Sequence, residues 1–116
     1  MKQLTGKSYS EKQESQIAKM VGGRVQSNSG GTRFGGGDVH TKTMFIEAKT
    51  PTTAKNTFSI QKQWMEKAKQ QAFEQNKTGY ALAFRFAPDE PDYFVISSQL
   101  FKELINYLEE DNRNEQ

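Results

Sequence analysis

The chain has no cysteine among its 116 residues, which excludes a disulfide framework, a thiolate zinc cage and a cysteine nucleophile. It has one histidine, His40. That rules out a multi-histidine site and leaves carboxylates as the only plentiful metal ligands. Apolar runs are only a few residues long, and the N-terminus is basic and polar with no apolar signal region. The expectation is therefore a cytoplasmic or host-cytoplasmic soluble protein. The length suits a single core and is too short for a second module.

Charge is present and unevenly spread. Residues 1–77 hold 13 Lys/Arg against 6 Asp/Glu, net +7, whereas residues 78–116 hold 3 against 8, net −5. A basic half suits a polyanionic partner, although a lysine-rich solvated surface would have the same composition.

The basic half also contains the most informative spacing. In Met44-Phe45-Ile46-Glu47-Ala48-Lys49, the period of a strand puts Phe45, Glu47 and Lys49 on one face and Ile46 and Ala48 on the other. Asp38 lies in the preceding extended run Gly37–Thr41, and Lys42-Thr43 can turn the chain, so a hairpin brings Asp38 alongside Glu47. Two carboxylates and an amine at this spacing suit Mg²⁺, which takes one or two carboxylates plus water and substrate phosphate. A solvated edge hairpin would show the same spacing, because the match is short.

The rest of the chain supplies a scaffold. A helix is predicted over Ser10–Met20, capped by Ser8 or Ser10 and stopped by Gly22-Gly23. Its apolar stripe is Ile17, Ala18 and Val21, and Glu14 precedes these by three, four and seven residues, which turns it inward; Glu11 is the alternative acid. A short strand at Arg24–Asn28 leads into the glycine-rich segment Ser29–Gly37. This is either a hairpin connector or a loop that touches DNA, and it lacks the Gly-Lys-Ser/Thr ending of a nucleotide-binding loop. A second helix is predicted from Ser59 or Ile60 to Gln75 with Ile60, Trp64, Ala68 and Ala72 inward. Strands follow at Tyr80–Phe86 and Tyr93–Ile96, joined through Pro88–Asp92. A last amphipathic helix carries Leu100, Phe101, Leu104, Ile105 and Leu108, capped by Ser97 or Ser98. The expected domain is residues 1–108, with a polar, frayed tail at 109–116. The order αβββαββα gives an α/β domain with a central mixed sheet flanked by helices.

With these elements in place, the chain resembles the PD-(D/E)XK nucleases, and within them the small archaeal-type and phage-encoded Holliday junction resolvases. The resemblance covers about Lys7 to Phe86. It rests on the first-helix acid in Ser10–Lys19, Gly22-Gly23, Ser29-Gly30, Gly37-Asp38-Val39, Ile46-Glu47-Ala48-Lys49-Thr50 and the helix containing Trp64, Lys67 and Ala72. Gly37 stands where the family's name has proline. The resemblance implies a restriction-endonuclease-like fold in which Asp38 and Glu47 bind Mg²⁺ (or Mn²⁺), the Ala48 carbonyl adds a ligand, Glu14 completes the acidic set and Lys49 orients the attacking water. The implied reaction is phosphodiester hydrolysis to 5′-phosphate and 3′-hydroxyl ends.

Lys7, Arg24, Ser29, Arg33, Lys42, Lys55 and Lys62 are the candidates for DNA contact, with little base readout. The expected partners are a four-way DNA junction and a second copy of the chain, without membrane or nucleotide cofactor. Two alternatives share the pattern. One is a less selective nuclease or nickase of flaps, single strands or nicked duplex; the other is a non-catalytic nucleic-acid-binding protein.

Overall fold

The computed structural model describes residues 6–26 and 38–114, with side chains from Ser8 to Asn112. Helix α1 (Gly6–Val21) is followed by strands β1 (Arg24–Gln26), β2 (Asp38–His40) and β3 (Met44–Lys49). Then come α2 (Lys62–Glu74), β4 (Gly79–Phe84), β5 (Tyr93–Ile96) and α3 (Ser98–Asn114). The expected αβββαββα order is the order found. One five-stranded sheet runs β1-β2-β3-β4-β5, so β3 is its middle strand. All neighbours are antiparallel except β3 and β4, which are parallel and joined across α2.

Strand alternation assigns the two faces. On one, Ile17 of α1 packs against Val39, Ile46, Ala48, Ala81 and Ala83. On the other, Ala68 and Ala72 of α2 pack against Phe45 and Tyr80. The small residues of β4 and α2 let both helices approach the sheet closely. No helix among the described residues is long and apolar enough to cross a membrane.

Several boundaries differ from those the sequence predicts. Helix α1 starts at Gly6, so Ser8 and Ser10 lie inside it rather than capping it; no proline or turn signal stops the helix earlier. Helix α2 starts at Lys62, because Gln61 is extended (φ −88°, ψ 132°). Ile60 is consequently exposed and Trp64 sits half-buried in the first turn. Ser97 is the α3 cap, its Oγ accepting the Leu100 N–H at 3.1 Å. Helix α3 runs on to Asn114, through most of the segment expected to fray. The charged residues there stay solvated on a helix surface as readily as on a coil. Ser29, Arg33 and the glycine-rich segment lie outside the described residues.

Gly22 adopts φ +68°, and the Gly23 N–H donates back to the Ala18 carbonyl at 2.9 Å, which closes α1 as a Schellman turn. A Cβ on Gly23 would stand 2.6 Å from the backbone oxygen of His40 on β2. Backbone cannot swing aside as a side-chain tip can, so Gly23→Ala is expected to cost roughly 1–3 kcal/mol. Urea unfolding checks this; unchanged stability would mean that β2 can shift.

Candidate active site

The β2–β3 hairpin turns at Thr41–Met44. The Thr41 N–H donates to the Met44 carbonyl at 3.0 Å, and the Thr41 Oγ1 accepts the Met44 N–H at 2.9 Å. The register that follows pairs Asp38 with Glu47, Val39 with Ile46 and His40 with Phe45. On β4, Leu82 is the partner of Glu47. Glu47 therefore stands between a second carboxylate and a fully buried leucine, 7% exposed itself, with Asp38 at 8%. Its Oε2 is buried without a hydrogen-bond partner, an arrangement that costs free energy unless a cation takes up the charge.

Lys49 is next on the same face. Its Nζ lies 3.6 Å from the Glu47 Oε1 and 4.7 Å from the centre of the Trp64 ring. The ring fixes the ammonium by cation–π attraction while part of it stays in water. Burial pushes the Asp38 carboxyl up to about 6, and the Glu47 charge adds to the rise, while Lys67 and Lys49 oppose it. Burial, and then the charge of Lys77, hold His40 below its usual range.

The raised Asp38 value has a thermodynamic consequence of definite sign. An acid whose folded pKa exceeds its unfolded value favours folding most when protonated, so its contribution is fully present below about pH 4 and is lost as pH rises through 6. Denaturation in EDTA should show wild type losing stability relative to Asp38→Asn across that interval. Parallel curves for the two proteins would mean that Asp38 is not perturbed.

The first-helix acids separate cleanly. Glu14 is 4% exposed and Glu11 is on the surface, as the inward stripe predicts. However, α1 packs on the sheet face opposite Asp38 and Glu47. Among the described residues no group of three or more His, Asp or Glu side chains could hold a metal ion, so Glu14 is not gathered into a three-acid cluster with the pair. The Ala48 methyl also belongs to the α1-side core, which leaves only its peptide group for a ligand role.

Of the residues proposed for DNA contact, Arg24, Lys42, Lys55 and Lys62 are exposed. They do not form one patch. Lys42 sits in the hairpin turn, five residues from Glu47, or about 17 Å along the strand. Lys55 is tied to the carboxylate end of the sheet by its N–H, which donates to the Phe86 carbonyl at 2.8 Å. Lys62 opens α2 and pairs with Glu66 at 3.7 Å. The Lys7 side chain lies outside the described residues.

Two residues join the site to which the sequence assigns no role there. Lys67, on α2 one turn after Trp64, projects its charge onto Asp38. Gln13, fully buried, donates its Nε2 to the Lys49 carbonyl and to the Asp92 Oδ1, each at 2.8 Å. The available signals are spacings: Lys67 follows Trp64 by three residues, and Gln13 precedes Ile17 by four.

The Asp92 carboxylate in turn receives Arg85. The guanidinium reaches its two oxygens at 3.0 and 2.5 Å, the Gln16 Oε1 at 3.1 Å and the Pro88 carbonyl at 2.9 Å. Helix α1, the end of β3, the end of β4 and the loop before β5 are thereby locked together behind Lys49. Compared with models of known families, with curated proteins and with solved structures, the chain matches none.

Proposed function

We propose that the chain is a divalent-metal-dependent DNA endonuclease of the PD-(D/E)XK kind, acting as a Holliday junction resolvase. The observation that carries this reading is the Glu47 carboxylate, buried in register with Asp38, with one oxygen unpartnered and the Lys49 ammonium beside the other. A pair of hard oxygen donors matches Mg²⁺ or Mn²⁺, which fills its remaining positions with water and substrate phosphate and so does not require a third carboxylate. When bound, the ion supplies Lewis-acid stabilisation of the charge that develops on the phosphate oxygens.

The chain's own groups do the rest. Asp38 and Glu47 would hold the cation, with the Ala48 carbonyl available as a further ligand. Lys49 donates a hydrogen bond that orients the attacking water, held in place by Glu47 on one side and Trp64 on the other. Water oxygen joins phosphorus as the bond to the 3′-oxygen breaks, leaving a 5′-phosphate and a 3′-hydroxyl. Arg24, Lys42, Lys55 and Lys62 grip phosphates, which gives affinity without base readout. Paired cuts across a junction call for two copies, because one chain carries one such carboxylate pair.

A less selective nuclease on unpaired DNA is the second reading. A specific feature favours it: Phe58, Phe84 and Tyr93 stack beside Trp64, with Phe58–Phe84 and Phe84–Tyr93 ring centres 5.0 and 5.8 Å apart and Tyr93 57% exposed. Such a surface can stack a splayed base. Competition decides between the readings. A labelled four-way junction should be displaced by unlabelled junction far better than by linear duplex or single strands at moderate salt. Equal displacement would replace the resolvase with the general nuclease.

A further inference from the structure

Gln13 is fully buried in α1, yet its carboxamide does not serve its own helix. Its Nε2 donates to the Lys49 carbonyl, 36 residues away, and to the Asp92 Oδ1, 79 residues away, each at 2.8 Å. Both partners are acceptors, so chemistry fixes which end of the amide faces them. The Gln13 Oε1 is buried and finds no donor among the described residues. A buried acceptor left without a donor is unfavourable, and a methionine would fill the same space without one. Packing alone does not ask for a glutamine here.

We propose that Gln13 is a positioning residue for Lys49: through the Lys49 carbonyl it fixes the root of that side chain, and so holds the ammonium over Trp64 and beside Glu47. Lys49 is the last residue of β3 and of its pairing with β4, and Pro51, two residues on, has no N–H with which to continue a ladder. The strand end therefore takes an anchor from outside the sheet. Helix α1 packs on the sheet face away from Asp38 and Glu47, so Gln13 meets Lys49 at the main chain, apart from the reacting groups. The anchor is itself held firm, because Asp92 is bonded by two nitrogens of the buried Arg85, which also bonds Gln16 and the Pro88 carbonyl.

The tip of Lys49 is less firmly placed than its root. Its Nζ lies 4.7 Å from the centre of the Trp64 ring and 3.6 Å from the Glu47 Oε1, with the side chain 26% exposed. Contacts of both kinds are modest where water reaches them, and a tilt at the Cα displaces the tip of a long side chain most. Misplacing a catalytic group by ~1 Å can cost about a hundredfold in rate. The kinetic part of the inference rests on the nuclease reading, whereas the positioning is read without DNA.

Trp64 is the one tryptophan of the chain, so its emission reports the Lys49 ammonium in EDTA and in the absence of substrate. Lys49→Met sets the end of the scale at which the ammonium is gone. Gln13→Met and Gln13→Asn, the second keeping the amide but shortening its reach, should each move the emission at least halfway from wild type toward that end, with native far-ultraviolet circular dichroism. Their kcat should fall at least about tenfold with KM unchanged. Gln16→Met, which removes a bond to Arg85 from the same helix but none to Lys49, should keep wild-type emission and cleavage. Wild-type emission in a folded Gln13 variant would overturn the inference, and so would an equal shift in Gln16→Met. Failure of both Gln13 variants to fold would overturn it by making the residue structural, and an emission that Lys49→Met does not move would remove the contact on which it stands. Shifted emission in variants whose kcat does not fall, or beside a wild type that cleaves no DNA, would leave the positioning standing and count against the nuclease reading instead.

Discussion

Asp38→Asn and Glu47→Gln will each lower DNA cleavage by about a thousandfold, the equivalent of several kcal/mol of transition-state stabilisation, while DNA affinity stays close to wild type. Both substitutions keep the shape of the side chain and remove its charge. On the proposed reading affinity comes from surface lysines and arginines, whereas the two acids, buried in register, serve to hold a cation. The substitutions should also stabilise the metal-free protein at neutral pH, because each removes one of two carboxylates that repel each other. A variant that is inactive, folded and more resistant to urea than wild type separates loss of chemistry from loss of structure. Cleavage retained in either variant, measured with Mg²⁺ in excess, would exclude this pair as the catalytic centre.

The largest effect on stability is expected at Arg85. Its side chain is 3% exposed and bonded to Asp92, itself 8% exposed, so Arg85→Met strands a buried carboxylate with Gln13 as its remaining donor. Breaking a buried ion pair from one side costs about 3–5 kcal/mol, a large share of the 5–15 kcal/mol that holds a domain of this size folded. Arg85→Met should thus be close to unfolded at physiological temperature. The double variant Arg85→Met/Asp92→Leu should recover most of the loss, since no charge is then left buried. Urea unfolding of the three proteins measures this. A loss below about 1 kcal/mol in the single variant would mean that the pair is solvated and the network behind Lys49 is not structural.

These two predictions sit on opposite sides of what the sequence makes legible. The β2–β3 hairpin is local: Glu47 and Lys49 alternate with Ile46 and Ala48 within six residues, and a short turn fixes the register with Asp38. Period-two patterning therefore predicts the pairing that the structure has. The Arg85–Asp92 pair is also close in sequence, but it reads as a strand end followed by a turn. Its burial depends on Gln16 and Gln13, 69 and 79 residues away from the groups they bond. No local periodicity encodes such a contact.

Helix periodicity has a similar limit at both ends of the chain. The i, i+4 spacing of Trp64 with Ala68 and Ala72 predicts an inward side chain. The structure starts α2 only at Lys62, and so leaves Trp64 at the rim under Lys49. The stripe of α3 is equally clear in the sequence, but a stripe states only that a face needs cover and not which chain provides it. Glu14 was legible as the buried acid of its helix. Its layer was not, since that depends on which sheet face α1 takes.

On the proposed reading Asp38 and Glu47 form a divalent-cation site that hydrolyses DNA. The most direct measurement is cleavage of an end-labelled four-way junction by the purified protein, in Mg²⁺ and in EDTA, with Asp38→Asn beside wild type. Wild type should give paired, opposed nicks with 5′-phosphate ends in Mg²⁺ and none in EDTA, and the variant should give none. Cleavage that persists in EDTA or in Asp38→Asn, or no cleavage of any DNA by a folded, dimeric wild type in either Mg²⁺ or Mn²⁺, would contradict that reading.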